Sequence, residues 1–124
     1  MMVIFAASIN CIDGRVQGPI SKWIKENHGV EFVDVVSEPG CDLTLSGPSD
    51  AEAGMKAKVE ISINAHKSKL VFVSGHHECA ANPVSKEEHI AHIKKAVERV
   101  NSWNLPVRVI GLWVNDSWTV DAVS

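Results

Sequence analysis

The chain has 124 residues, enough for one domain with one core and too few for two ordinary ones. Its 45% hydrophobic content is that of a soluble globular protein, and a net charge of −3 offers no basic stripe of the kind nucleic-acid binding needs. Apolar runs such as Val3–Ile9 and Leu70–Val73 fall far short of a membrane span, and no basic segment precedes the first of them. The expectation is therefore a cytoplasmic protein with no membrane partner.

Residues Met2–Ile9 are continuously apolar or small and read as a strand buried on both faces, as in a parallel sheet. Gly18-Pro19 then opens a helical stretch with Ile20, Trp23 and Ile24 at spacings of three and four, and Asn27-His28-Gly29 is its stop signal. A second strand follows over Val30–Val36 and is broken by Ser37-Glu38-Pro39-Gly40. Cys41–Pro48 fits either a strand extension or a loop. Ser49 or Asp50 is placed to cap a helix reaching about Ala65, with Met55, Val59 and Ile63 on one face.

Lys69–Ser74 is the third strand. Ser85-Lys86-Glu87-Glu88 is a capping box, with a hydroxyl at the cap and a carboxylate three residues on, and the helix behind it carries Ile90, Ile93, Val97 and Val100 in one stripe. Pro106 marks the next boundary, Val107–Val114 reads as the fourth strand, and Trp118–Val123 as a short edge strand reached through a turn at Asn115-Asp116-Ser117. The alternation predicts a single α/β domain over residues 1–124. Its sheet has four mostly parallel strands plus an antiparallel edge strand, flanked by helices.

Two motifs sit where buried strands end. Cys11-Ile12-Asp13-Gly14-Arg15 follows the first strand and Gly75-His76-His77-Glu78-Cys79 follows the third. Parallel sheets gather ligand sites at the carboxyl ends of their strands, so if these strands are neighbours, Cys11, His76 and Cys79 meet. Zinc takes sulfur and nitrogen ligands in fours, and two thiolates with one imidazole leave a fourth position for water or for Asp13. Arg15 beside Asp13 can form a bidentate pair, lower its pKa and decide whether it points at the metal. Gly75 allows a sharp exit from the strand.

Cys-x-Asp-x-Arg after the first strand, with Gly-His-x-x-Cys after a later one, resembles the β-class carbonic anhydrases. The likeness continues through Val107-Arg108-Val109-Ile110-Gly111-Leu112-Trp113 and the edge strand at Thr119–Val123, and is sparse between residues 16 and 68. The resemblance implies a zinc ion on Cys11, His76 and Cys79, with Asp13 either ligating the metal or pairing with Arg15 and freeing the position for water. It implies a lyase of the carbonate dehydratase type, in which zinc-bound hydroxide attacks carbon dioxide to give bicarbonate and Asp13 orients the hydroxide. It also implies a homodimer or higher homo-oligomer.

The chain departs from these relatives in three places. They usually carry an N-terminal helical extension that clasps the partner subunit, whereas here the first strand starts at Met2. They tend to carry an Arg-Asn-Ala-Gly-like segment where this chain has Ser37-Glu38-Pro39-Gly40. Ala80 stands where Gly commonly follows the cysteine. The first two departures favour a rival reading, a non-catalytic zinc protein with Asp13 closing the site, whereas the intact Asp13–Arg15 pair favours the enzyme. A further variant is a hydrolase of carbonyl sulfide or carbon disulfide.

The other polar residues carry weaker signals. His77 and Glu78 are placed to relay protons but read first as solvated neighbours. His89 and His92 resemble a metal pair and read instead as the solvated side of the last long helix. His28 and His66 suit helix ends, Cys41 reads as a passive core or turn residue, and the four tryptophans read as core, edge cover or interface. No Gly-x-Gly-x-x-Gly or phosphate-binding Gly-Lys-Ser/Thr is present. A Cys11–Cys79 redox pair lacks a Cys-x-x-Cys motif and leaves Asp13 and Arg15 without a purpose.

Overall fold

The computed structural model describes residues 3–123. Its elements are β1 (Phe5–Asn10), α1 (Gly14–His28), β2 (Phe32–Ser37), α2 (Cys41–Thr44), α3 (Glu52–His66), β3 (Leu70–His76), α4 (Lys86–Asn101), β4 (Arg108–Val114) and β5 (Val120–Ala122). They build one five-stranded sheet in the order β2-β1-β3-β4-β5, with β4–β5 antiparallel and every other pair parallel. This is the expected α/β architecture. Met2, where the first strand was expected to begin, lies outside the described residues.

Alternation along the strands divides the core in two. Ala6, Phe72, Ile110 and Leu112 face α1, meeting Val16, Ile20 and Ile24. Ala7, Ile9, Val71, Val73 and Val109 face α3 and α4, meeting Met55, Val59, Ala96, Val97 and Val100. Among the described residues, no helix is long and apolar enough to cross a membrane.

Several boundaries differ from expectation, each for a local reason. α1 opens at Gly14 rather than at Gly18-Pro19, because the Asp13 side chain caps it by accepting from the Arg15 backbone N–H. Pro19 is then the sixth residue of the helix, and its missing N–H leaves the Arg15 carbonyl without a helical partner. Gly29 ends α1 in the left-handed region (φ 65°), where its N–H bonds the Lys25 carbonyl at 3.1 Å. Cys41–Pro48 opens as the short helix α2. α3 has no side-chain cap from Ser49 or Asp50, because Ala51 before it is already helical (φ −80°, ψ −16°), and Ser49 Oγ is buried without a partner. The Ser85 cap on α4 forms as expected, accepting from Glu88 N–H at 3.2 Å.

β3 runs on through Gly75 to His76, so the chain does not turn at the glycine. Gly75 is needed for space instead. A Cβ there would sit 2.5 Å from Asp42 Oδ2 and 3.1 Å from Ile93 Cδ1. β1 and β3 lie side by side, and the chain leaves β1 toward β2 on one flank and continues from β3 to β4 on the other. That reversal marks the crevice where open α/β sheets hold their ligands.

Candidate metal centre

Cys11 follows the end of β1, His76 is the last residue of β3, and Cys79 lies in the turn beyond it. The three come together at the strand reversal. Their ligand atoms all lie within 4.8 Å of one another, and all three residues are buried. The left-handed conformation of Glu78 (φ 56°) tightens the His76–Cys79 turn, and the His77 N–H anchors it to the Val114 carbonyl at 2.9 Å.

The donor set fits a zinc ion. Cys11 Sγ and Cys79 Sγ are 3.9 Å apart, and two zinc–sulfur bonds of about 2.3 Å at a tetrahedral angle span about 3.8 Å. His76 Nδ1 lies 2.8 Å from the His77 carbonyl oxygen. A carbonyl only accepts, so Nδ1 carries the proton and Nε2 holds a free lone pair. Nε2 is buried and has no hydrogen-bond partner. Burial lowers the His76 pKa, partly offset by the bond to the His77 carbonyl, and so favours the neutral ring a metal requires. Burial and the neighbouring Cys11 sulfur raise the Cys79 thiol, while the backbone N–H groups of Ala81 and Asn82 oppose the rise by donating to its sulfur.

Asp13 is paired with Arg15. Its Oδ1 accepts from Arg15 Nε at 3.1 Å and its Oδ2 from Nη2 at 2.8 Å, a fork-on-fork contact. The Arg15 side-chain bonds, with the Arg15 backbone N–H and charge helping against partial burial, hold the Asp13 pKa down at about 2. Asp13 therefore caps a helix and forms an ion pair at once, while the group that could hold a metal ion consists of Cys11, His76 and Cys79. His77 and Glu78 stand half-exposed to exposed at the rim, 4.0 Å apart, and Glu78 also reaches Arg15 at 3.2 Å.

The sequence reading was wrong about His89. It is buried, not solvated, because the apolar stripe of α4 is wide enough to include it. Its Nδ1 contacts Asp42 Oδ2 at 2.6 Å, and Asn82 Nδ2 donates to the same oxygen at 3.2 Å. His92 is half-buried with Nδ1 3.0 Å from Asn82 Nδ2. The expectation for Cys41 was right: it is buried, and its thiol donates to the Ser74 carbonyl at 3.1 Å. Sequence reasoning also missed Trp118, whose ring covers the Arg15 guanidinium at 4.4 Å. Nothing in the residue pattern signalled that contact.

The sequence profile of the family described as "Putative carbonic anhydrase" matches residues 1–124. The chain belongs to this family. None of the curated proteins matches it by sequence. Among solved structures it is similar to β-carbonic anhydrase isoform I of Trichomonas vaginalis, with 18% identity and a TM-score of 0.60 over 94% of this chain and 81% of that one. It is also similar to the β-carbonic anhydrase CcaA, with 14% identity and a TM-score of 0.70 over 98% and 74%. The two tetrameric β-carbonic anhydrases of Sordaria macrospora supply a further match, with 14% identity and a TM-score of 0.59 over 100% and 82%. At these identities the likeness shows the carbonic anhydrase fold.

Proposed function

We propose that this protein is a zinc-dependent carbonic anhydrase, hydrating carbon dioxide reversibly to bicarbonate, with Cys11, His76 and Cys79 as metal ligands. The observation that carries the reading is His76 Nε2, a buried and partnerless acceptor whose tautomer is fixed and which shares its site with two thiols at zinc-ligand spacing. Zinc, when bound, supplies a Lewis acid that brings the pKa of water in an open fourth position to about 7.

The chain's own residues do the rest. Asp13 stays ionised above pH about 2 and can only accept hydrogen bonds, so it orients a water through the lone pairs Arg15 leaves free. Arg15 holds that carboxylate deprotonated and in place through two side-chain bonds. A site closed by Asp13, as in a zinc protein without activity, requires both bonds to break. The pair therefore favours the enzyme.

Three free thiols suit a reducing compartment such as the cytoplasm. A homo-oligomer fits the outer edge of β2, an end strand of the sheet on which Phe32 and Val35 are both half-exposed. The test is stopped-flow carbon dioxide hydration on zinc-loaded protein from pH 7 to 9. Activity rising with pH is expected, and no activity across that range refutes the enzyme.

A further inference from the structure

Arg15 is held more firmly than its carboxylate partner requires. Besides the two bonds to Asp13, Nη1 donates to Glu78 Oε1 at 3.2 Å and Nη2 reaches the Glu78 carbonyl at 3.4 Å. The Trp118 ring then covers one face of the guanidinium at 4.4 Å. The edges of the plane are held by Asp13 and Glu78, and the indole closes one of its two faces.

Both added partners sit in strained backbone. Glu78 (φ 56°) and Trp118 (φ 57°) are two of only four non-glycine residues with positive φ among the described residues. Side chains larger than Asn rarely adopt this region, and such strain persists where the surroundings over-determine it and the site has a use for it. Trp118 is over-determined by the turn before β5. Asn115 Oδ1 accepts from the N–H groups of Ser117 (2.9 Å) and Thr119 (3.1 Å), and the Trp118 N–H bonds the Asn115 carbonyl at 3.0 Å. Glycine or asparagine would take that position easily. A tryptophan there instead carries its ring onto Arg15.

We propose that Trp118, assisted by Glu78, is a positioning residue that keeps Arg15 in the pose holding Asp13 off the metal. The inference rests on the zinc reading above. Asp13 is two residues from the ligand Cys11, so the balance between an Arg15-bound and a metal-bound carboxylate depends on how well Arg15 is fixed. The exposed Glu78 contact adds little by itself. A stacked guanidinium on indole is worth about a two- to fivefold bias.

The test uses Trp118→Gly, which removes the ring and suits the left-handed turn, and Trp118→Asn, which does the same without loosening the chain. Cobalt(II) in place of zinc gives an absorption spectrum that separates a carboxylate fourth ligand from water. Extraction of zinc by a chelator gives a second readout independent of activity. Both variants are expected to raise the carboxylate-bound fraction about two- to fivefold and to slow extraction to match, and Trp118→Phe to restore most of the wild-type behaviour. Variants that match wild type in both readouts, while Arg15→Ala shifts them, overturn the positioning role and leave the zinc reading standing. Wild-type protein that takes up neither metal overturns the zinc reading and this inference together.

Discussion

Gly75→Ala is the substitution that most directly tests how β3 delivers His76. The added Cβ would lie 2.5 Å from Asp42 Oδ2, where ordinary contact begins near 3.4 Å, so about 0.9 Å must be recovered. Asp42 is not free to yield it. Its carboxylate is buried and held by His89 Nδ1 at 2.6 Å and Asn82 Nδ2 at 3.2 Å. A shift of that size breaks the buried His89 bond, and leaving its buried polar groups unpaired costs about 1–3 kcal/mol. Overpacking against Ile93 adds to that, and the combined cost is about 2–4 kcal/mol. Urea unfolding of the metal-free protein followed by circular dichroism should show it as a fall in the midpoint of about 1–2 M at unchanged slope. In an Asp42→Ala background the clash partner is gone, and Gly75→Ala should cost at least 1 kcal/mol less there, roughly the coupling expected of residues in contact. Equal costs in the two backgrounds, or a loss below about 0.5 kcal/mol, would refute the steric argument.

Four further outcomes are expected. Cys79→Ser should lose bound zinc by elemental analysis, together with the stability that zinc loading adds, whereas Cys41→Ala should keep about one equivalent. Zinc retained in the first variant, or lost in the second, reverses the ligand assignment. Arg15→Ala should keep zinc and lower kcat/KM about 10- to 100-fold, the range for removing a residue that orients a metal-site group; unchanged activity removes the Asp13–Arg15 pair from the reaction. The folded-state pKa of Asp13 is depressed, from 3.8 to about 2, so its contribution to stability is present above pH about 4 and fades as pH falls toward 2. Acid titration of Arg15→Ala should lack that part of the slope, and a variant as acid-sensitive as wild type would contradict it.

How much of this was legible in the sequence follows from the range of the interactions involved. The strands, the Ser85 cap and the two motifs are local patterns, and they pointed to the right sheet and to the three residues that meet at its strand reversal. Local reading failed where one residue serves two purposes or answers to a distant partner. Asp13 serves both as a carboxylate beside the site and as the cap of α1, and Gly18-Pro19 is the stronger local start signal, although the helix begins at Gly14. His89 has the polar character of a solvated side chain, and the partner that satisfies it inside the core, Asp42, lies 47 residues away. Gly75 looked like a turn residue because a motif followed it, yet its backbone is ordinary strand and its constraint is the Asp42 carboxylate. Trp118 occupies a left-handed turn position that sequence rules reserve for glycine or asparagine, so no pattern could have placed its ring on Arg15.

Three buried thiols lie near the sheet's carboxyl edge, and hydrogen-bond polarity sorts them. Cys41 donates its proton to the Ser74 carbonyl at 3.1 Å, with the Ile9 carbonyl at 3.6 Å as a second acceptor. Carbonyls cannot stabilise a thiolate, and full burial pushes this thiol well above its ordinary pKa, so it remains a small apolar residue with a satisfied S–H. Cys79 has the opposite surroundings: the N–H groups of Ala81 and Asn82 point at its sulfur and favour the anion against the cost of burial. Cys11 faces Cys79 at 3.9 Å. A divalent cation placed between them would relieve the repulsion that otherwise keeps two neighbouring sulfurs from ionising together, and would use the lone pair of His76 Nε2 that the fold leaves without a partner. If Cys11, Cys79 and His76 hold a metal as proposed, the two thiols must give up their protons to it, and affinity should fall as the pH is lowered; metal content measured across pH 5 to 8 checks this.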